Sequence, residues 1–283
     1  MKTKNYSAKL KFPLYFFTVG LIFFPLLYMI VLSFLQREGS WGIVFNFSLM
    51  NYQRIFERVY LETFIQSMQL AFISTFLTIM FGYPFGYFMA KLDKKWKNKI
   101  LLLLIIPFWT SSLMRLYGWI IIFRANGVLD SFLMFLRITD EPLRLLYTYP
   151  AVITGMVYVL VPFMIYAVYA SAEKLDKSLV EAARNMGASR LKAFLTVSFP
   201  LTMPGLFSGF VLTFIPSMGL FYLAEILGGN RIVLVGNLIH EQLTRAADWP
   251  FAAALSASLM LLTSFFIFLY RKITRSGELE GLV

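Results

Sequence analysis

The segment LDKSLVEAARNMG, Leu175 to Gly187, lies between two apolar runs that are each long enough to cross a bilayer, yet it is too short and too charged to cross one itself. Its apolar side chains, Leu175, Leu179, Ala182, Ala183 and Met186, recur at i, i+4, i+7, i+8 and i+11, one stripe of an α-helix. Lys177, Glu181, Arg184 and Asn185 fall largely on the other faces. Two starts are open: Asp176 as the cap of the first turn, or Ser178 with Glu181 as a capping box. Gly187 ends the helix, because glycine accepts the left-handed conformation common just past a helix C-terminus. A second amphipathic run, ASRLKAFLTVSFP, leads on to Pro200. Two short helices bent at a glycine make a compact knob, not a loose linker.

The flanks of the knob set the fold class. Of 283 residues, 59% are hydrophobic and 14% charged, with a mean hydropathy of +0.70. Soluble domains carry about a quarter charged residues. Thirty Phe, 15 Tyr and 5 Trp exceed what one soluble core buries, so lipid is the solvent for much of this surface. Six transmembrane helices are expected, at about 12–35, 64–90, 99–123, 149–172, 197–220 and 251–271, with the knob in the 173–196 loop. The whole of 1–283 reads as one all-α, polytopic membrane domain. The first run is too long for the core of a signal peptide and no small-residue cleavage site follows it, so it is expected to stay as a span. The outer loops, about 36–63, 124–148 and 221–250, each have room for a short interfacial helix.

Lysine and arginine sort by side. The N-terminus, the 91–99 loop, the knob loop and the C-terminus together hold 17, against 8 in the longer outer loops, with Arg115 inside the third span. Basic residues favour the cytoplasmic side, so both termini and the knob are expected there. The 15 acidic residues divide 6 to 9 the other way, leaving +11 inside and −1 outside. The net charge of +11 is therefore a topology signal, and nucleic acid is excluded as its cause. With no cysteine and one histidine, His240, thiolate chemistry, histidine metal clusters and a Ser-His-Asp triad drop out; no catalytic residues and no metal are expected.

Glu181-Ala182-Ala183, three residues, Gly187, nine residues and then Val197-Ser198-Phe199-Pro200 resembles the EAA motif of bacterial ABC-importer permeases, with Val and Phe where the family pattern has Ile and Leu. The resemblance implies the six-span type I importer (MetI-like) permease fold in the bacterial inner membrane. It also implies that the knob is the coupling helix, with Glu181, Ala182, Ala183 and Gly187 seated in a cleft of an ATP-hydrolysing subunit. This chain has no G-x-x-x-x-G-K-[ST] phosphate loop, so it is a transport subunit and not itself an enzyme. ATP and Mg²⁺ are expected in a partner chain. The implied partners are two ATP-binding cassette subunits, a second, homologous permease subunit, a periplasmic binding protein and the lipid bilayer.

LLIIPFWTSSLMRLYGW, ending at Trp119, together with PSMGLFYLAEILGG (216–229) and DWPFAAA (248–254), is similar to the first permease subunit of bacterial spermidine/putrescine importers. This implies a polyamine as cargo, delivered by a periplasmic polyamine-binding protein and moved by alternating access. A polycation needs carboxylates at the mouth and aromatic faces on the way. Tyr222 and Glu225 after span five, Trp109, Tyr117 and Trp119 in span three, and Tyr158 in span four are the candidates. Single aromatics near membrane ends also serve as interface anchors. Arg115 is read as structural, snorkelling outward or pairing with an acid. His240 and Glu241 are expected to face the binding protein. The alternatives are a permease for another small solute or, in a different class, an ion-coupled secondary transporter; inverted repeats and an intramembrane acid would mark the latter, and neither is seen.

Overall fold

The structure is a computed structural model that describes residues 6–39, 42–229 and 231–280, with the side chains of 6–15, 271 and 273–280 outside the description. The cations expected at the two ends (Lys2, Lys4, Lys9, Lys11, Arg271 and Arg275) lie outside it. Six helical segments are long and apolar enough to cross a membrane: Phe16–Ser33, Arg58–Met89, Ser112–Phe135, Tyr149–Ala172, Arg190–Gly219 and Trp249–Tyr270. The chain divides into two compact units, 1–62 with 238–262 and 63–237 with 263–283.

In the first unit, α1 (Tyr6–Ser33) runs into a short antiparallel hairpin of β1 (Gln36–Glu38) and β2 (Gly42–Val44), then α2 (Met50–Ile55). The Asn51 amide donates to the carbonyls of Ser33 at 3.0 Å and Leu35 at 2.8 Å, satisfying acceptors left open where α1 ends. Asp248 has two partners. One oxygen accepts from Arg54 at 2.8 Å and the other from the Phe251 amide at 3.2 Å, while the Arg54 guanidinium lies 3.9 Å from the Phe251 ring. A carboxylate at the start of a helix meets the free amides there, which is why this acid can be buried.

The second unit holds most of α3 (Arg58–Met89), then α4 (Lys94–Ile105), α5 (Ser112–Phe123), α6 (Val128–Phe135) and α7 (Tyr149–Ala172). The knob follows as α8 (Lys177–Asn185) and α9 (Arg190–Ala193). A π turn over Phe194–Ser198 joins α9 to α10 (Phe199–Gly219), and α11 (Phe221–Gly228) comes next. The last helices, α12 (Val235–Thr244) and α13 (Trp249–Glu280), begin in one unit and end in the other. The outer loops contain short helices as expected: α2, α6, and α11 with α12.

Glycine lets α3 and α10 close on α7. A Cβ at Gly205 of α10 would stand 2.4 Å from the Ser171 Cβ and 2.7 Å from the Ala167 carbonyl oxygen of α7. One at Gly86 of α3 would stand 2.8 Å from the Ile165 carbonyl oxygen. Each has a glycine four residues away, Gly209 and Gly82, both against Met164. Two G-x-x-x-G faces therefore grip one helix, the small-residue packing that lets backbones approach in lipid. Tyr83 of α3 and Thr202 of α10 share a 2.8 Å hydrogen bond. Leu116, Val152, Met156, Leu160, Leu223 and Leu227 fill the core where α5, α7 and α11 meet.

The third span departs from expectation. The helix expected over 99–123 is broken: α4 ends at Ile105, a 3₁₀ turn covers Ile106–Trp109, Thr110 is extended, and α5 starts at Ser112. Pro107 has no N–H to continue the ladder, and Thr110-Ser111-Ser112 favours a new helix start over an interior. The span-length segment in this region is Ser112–Phe135, made of α5, a turn at 124–127 and α6.

Candidate functional site

The knob is closed on itself at both ends. Of the two starts open in the sequence, Asp176 is used: its side chain accepts from the Ser178 amide at 2.9 Å, and Glu181 caps nothing. This hydrogen bond holds the Asp176 carboxyl below its ordinary value. Gly187 sits at φ +87° with open space where a side chain would be. Its amide donates to the Arg184 carbonyl at 3.0 Å, and the Ala188 amide donates to that of Ala183 at 3.1 Å. These two bonds form a Schellman motif, so the bend expected at Gly187 is a defined turn. Ser189 then caps α9 through the Lys192 amide at 3.2 Å.

The apolar stripe divides. Ala183 is buried against the rest of the chain, whereas Leu179, Ala182 and Met186 are exposed, Met186 to 84%. These three lie at i, i+3 and i+7 and leave an apolar ridge uncovered on a helix expected to stand in water. Glu181 is also exposed and lines a polar cavity of about 390 Å³ with Lys91, Lys97, Glu173, Lys177 and Arg184. Glu173 there accepts from Lys97 at 3.3 Å. A hydrogen bond from Tyr169, aided by Lys97, outweighs the effect of burial and lowers the Glu173 carboxyl from its ordinary value.

Inside the membrane region, a cavity of about 410 Å³ is lined by Phe108, Arg115, Trp119, Tyr158 and Pro162, with Pro107 at the helix break. The rings of Trp119 and Tyr158 meet edge to face at 5.5 Å. Contrary to expectation, Arg115 turns to its own backbone and not outward, and among the described residues it pairs with no acid. Its Nη1 donates to the Pro107 carbonyl, and its guanidinium lies 5.3 Å from the Phe108 ring. The same carbonyl accepts from the Thr110 hydroxyl at 2.8 Å. A carbonyl freed by a helix break in lipid needs such donors, so Arg115 stabilises the break.

Of the six candidates for a cargo path, Tyr158 and Trp119 line this cavity, and Phe108 joins them. Trp109 is 77% exposed and Tyr117 is exposed; neither is in the lining. Tyr222 is half-buried against the core on α11, and Glu225 is exposed on the same helix; neither lines the cavity. Phe108 escaped the sequence reading because nothing in its neighbours marks which side of a broken helix faces inward. His240 and Glu241 are exposed on α12. Among the described residues, no group of three His, Cys, Asp or Glu could hold a metal.

Residues 82–276, which contain the knob, the cavity and both G-x-x-x-G faces' contacts with α7, match the model of the family described as binding-protein-dependent transport system inner membrane component. The spermidine/putrescine transport system permease protein PotB of Escherichia coli (strain K12) is 43% identical over 263 residues, 92% of this chain and 96% of that one. The protein of the same name from Haemophilus influenzae is 40% identical over 267 residues, 92% of this chain and 93% of that one. Among solved structures, a bacterial alginate ABC transporter in complex with an alginate pentasaccharide-bound periplasmic protein has a chain that superposes with a TM-score of 0.69. At 13% identity, over 96% of this chain and 93% of that one, it shares the fold. By the family match and by these relatives, the chain belongs to the inner-membrane permease components of binding-protein-dependent transport systems.

Proposed function

We propose that this chain is the permease subunit of an ATP-driven importer of polyamines, spermidine and putrescine, working by alternating access as one membrane domain with both termini in the cytoplasm. The observation that carries the reading is the 40–43% identity, along nine-tenths of the chain, to permeases named for those two solutes. The energy comes from separate ATPase chains that bind ATP and Mg²⁺; a second permease subunit completes the path, and a periplasmic binding protein delivers cargo. The uncovered ridge of Leu179, Ala182 and Met186 supports docking of α8 into an ATPase, with Glu181, Ala182 and Gly187 at the contact and Ala183, buried in this chain, seating the helix from behind. Tyr158 with Trp119 offers aromatic faces to an ammonium, and Glu225, exposed on α11, with the aromatics near it faces a seam with the second permease. Arg115 in the same cavity, held on its own backbone, repels a polycation and prevents it from resting there.

The test is uptake of labelled spermidine by cells whose only polyamine importer contains this chain with its cognate subunits. Uptake is expected, and Glu181→Arg is expected to abolish it while the protein still inserts and the ATPase no longer co-purifies. Uptake of another solute in place of spermidine overturns the cargo; undiminished spermidine uptake by the variant overturns the docking role.

A further inference from the structure

A second cavity, of about 810 Å³, opens where the knob meets the ends of α3 and α10. Its wall is apolar and aromatic, from Tyr87, Phe88, Phe194 and Leu195. Phe88 and Leu195 are 63% and 53% exposed, so the slot is open along one side. Three cations, Lys91, Arg184 and Arg190, also line it, and no carboxylate does. Glu173 and Glu181 line the adjoining polar cavity instead. Lys91 lies over the Tyr87 ring at 4.1 Å, and among the described residues none of the three cations forms an ion pair. Ser198, in the same lining, is fully buried with a hydroxyl that has no hydrogen-bond partner.

Cations gathered beside an open apolar slot call for an amphiphile with an anionic head. A free anion would use the cations and leave the slot empty. A neutral lipid would fill the slot and leave the cations uncompensated. The cargo proposed above is itself a cation and is repelled. We propose that this cavity binds one anionic phospholipid, its phosphate between Lys91, Arg184 and Arg190 and one acyl chain along Phe88, Phe194 and Leu195. Basic pockets at the cytoplasmic ends of membrane helices suit such head groups. The site rests on the proposed orientation, which sets this end of α3 and α10 at the inner leaflet. A bound lipid there touches α8, α9 and the π turn at once, so membrane composition acts on the knob directly.

The experiment is native mass spectrometry of the intact importer, purified in detergent and titrated with phosphatidylglycerol or phosphatidylcholine. Detergent has no sides and no cargo is added, so the result does not depend on orientation or on the polyamine reading. One phosphatidylglycerol is expected to be retained at least about tenfold more tightly than phosphatidylcholine. The double variant Lys91→Gln, Arg190→Gln should lose that preference. Leu195→Trp, which fills the slot and keeps the cations, should lose the lipid altogether. Excess inorganic phosphate should leave the lipid in place. Equal retention of both lipids by the wild type overturns the proposal without any variant. So does retention unchanged in both variants, and displacement by inorganic phosphate assigns the cavity to a free anion instead.

Discussion

Gly187 and Gly205 are both indispensable glycines, for opposite reasons. Gly187 has open space around it and a backbone that L side chains avoid, at φ +87°. Gly205 has a backbone any residue adopts and no space at all, with Ser171 and the Ala167 carbonyl where its side chain would be. The first glycine is demanded by the chain's own local path, the second by another helix. The difference separates the knob, which is held by bonds between near neighbours, from the membrane helices, which are held by contacts between distant ones.

Substitution by alanine and by asparagine breaks the pair apart. Gly205→Ala forces atoms against a backbone oxygen and should cost about 1–3 kcal/mol, with Gly205→Asn worse. The readout is thermal unfolding of the detergent-solubilised importer, and an unchanged Tm would mean the α7–α10 contact is looser than described. Arg115→Met should come next, at about 1–3 kcal/mol, because the Pro107 carbonyl keeps only its donors from Thr110. Arg115→Lys should recover part of that loss by restoring one donor; equal melting of both variants would deny Arg115 its role at the break.

The effect at the knob is smaller and inverts the order of side chains. Gly187→Ala should cost about 1–2 kcal/mol of local stability, and Gly187→Asn less, since asparagine tolerates the left-handed region. Amide exchange at Gly187 and Ala188 reads this directly, and Asn costing more than Ala would refute a conformational role. The smallest effect is electrostatic. The folded Glu173 carboxyl lies below its ordinary value of 4.5, so its contribution is complete above that value. It fades as pH falls through the lowered folded value. Glu173→Gln should flatten this part of the stability profile; an identical acid limb in both proteins would show that the Lys97 and Tyr169 contacts contribute nothing.

The same division decides what could be read in advance. The number of spans was legible because each apolar run is a property of contiguous residues, and so was the end of α8 at Gly187. The start of α8 was half legible: Asp176 and, in a capping box, Glu181 compete for the same Ser178 amide, and only the backbone angles choose between them. The break in the third span was hidden by hydropathy, which averages across Pro107 and reports oil on both sides. Gly82, Gly86, Gly205 and Gly209 stood in the sequence as two G-x-x-x-G pairs, a signal that could have been used. Their shared partner α7 could not be named, because nothing local says which helix lies opposite. The cavity was least legible of all. The sequence offers Arg115 either the outer interface or an acid, whereas its partner is a carbonyl eight residues back that becomes available only once the helix has broken.

The π turn over Phe194–Ser198 has a mechanical consequence. It keeps α9 and α10 helical end to end, so Arg190–Gly219 is 30 residues without a loop. At about 1.5 Å per residue that is a rod of roughly 45 Å, anchored to the knob at one end. A loop in the same place would absorb a push by bending. Under the docking proposed above, the rod, though punctuated by Pro204 and Pro216, would carry a sideways displacement of the knob into α10, with the glycine contact at α7 as the pivot. The bulge in the rod, where the helix is locally wider, is where twist can be taken up without breaking the shaft.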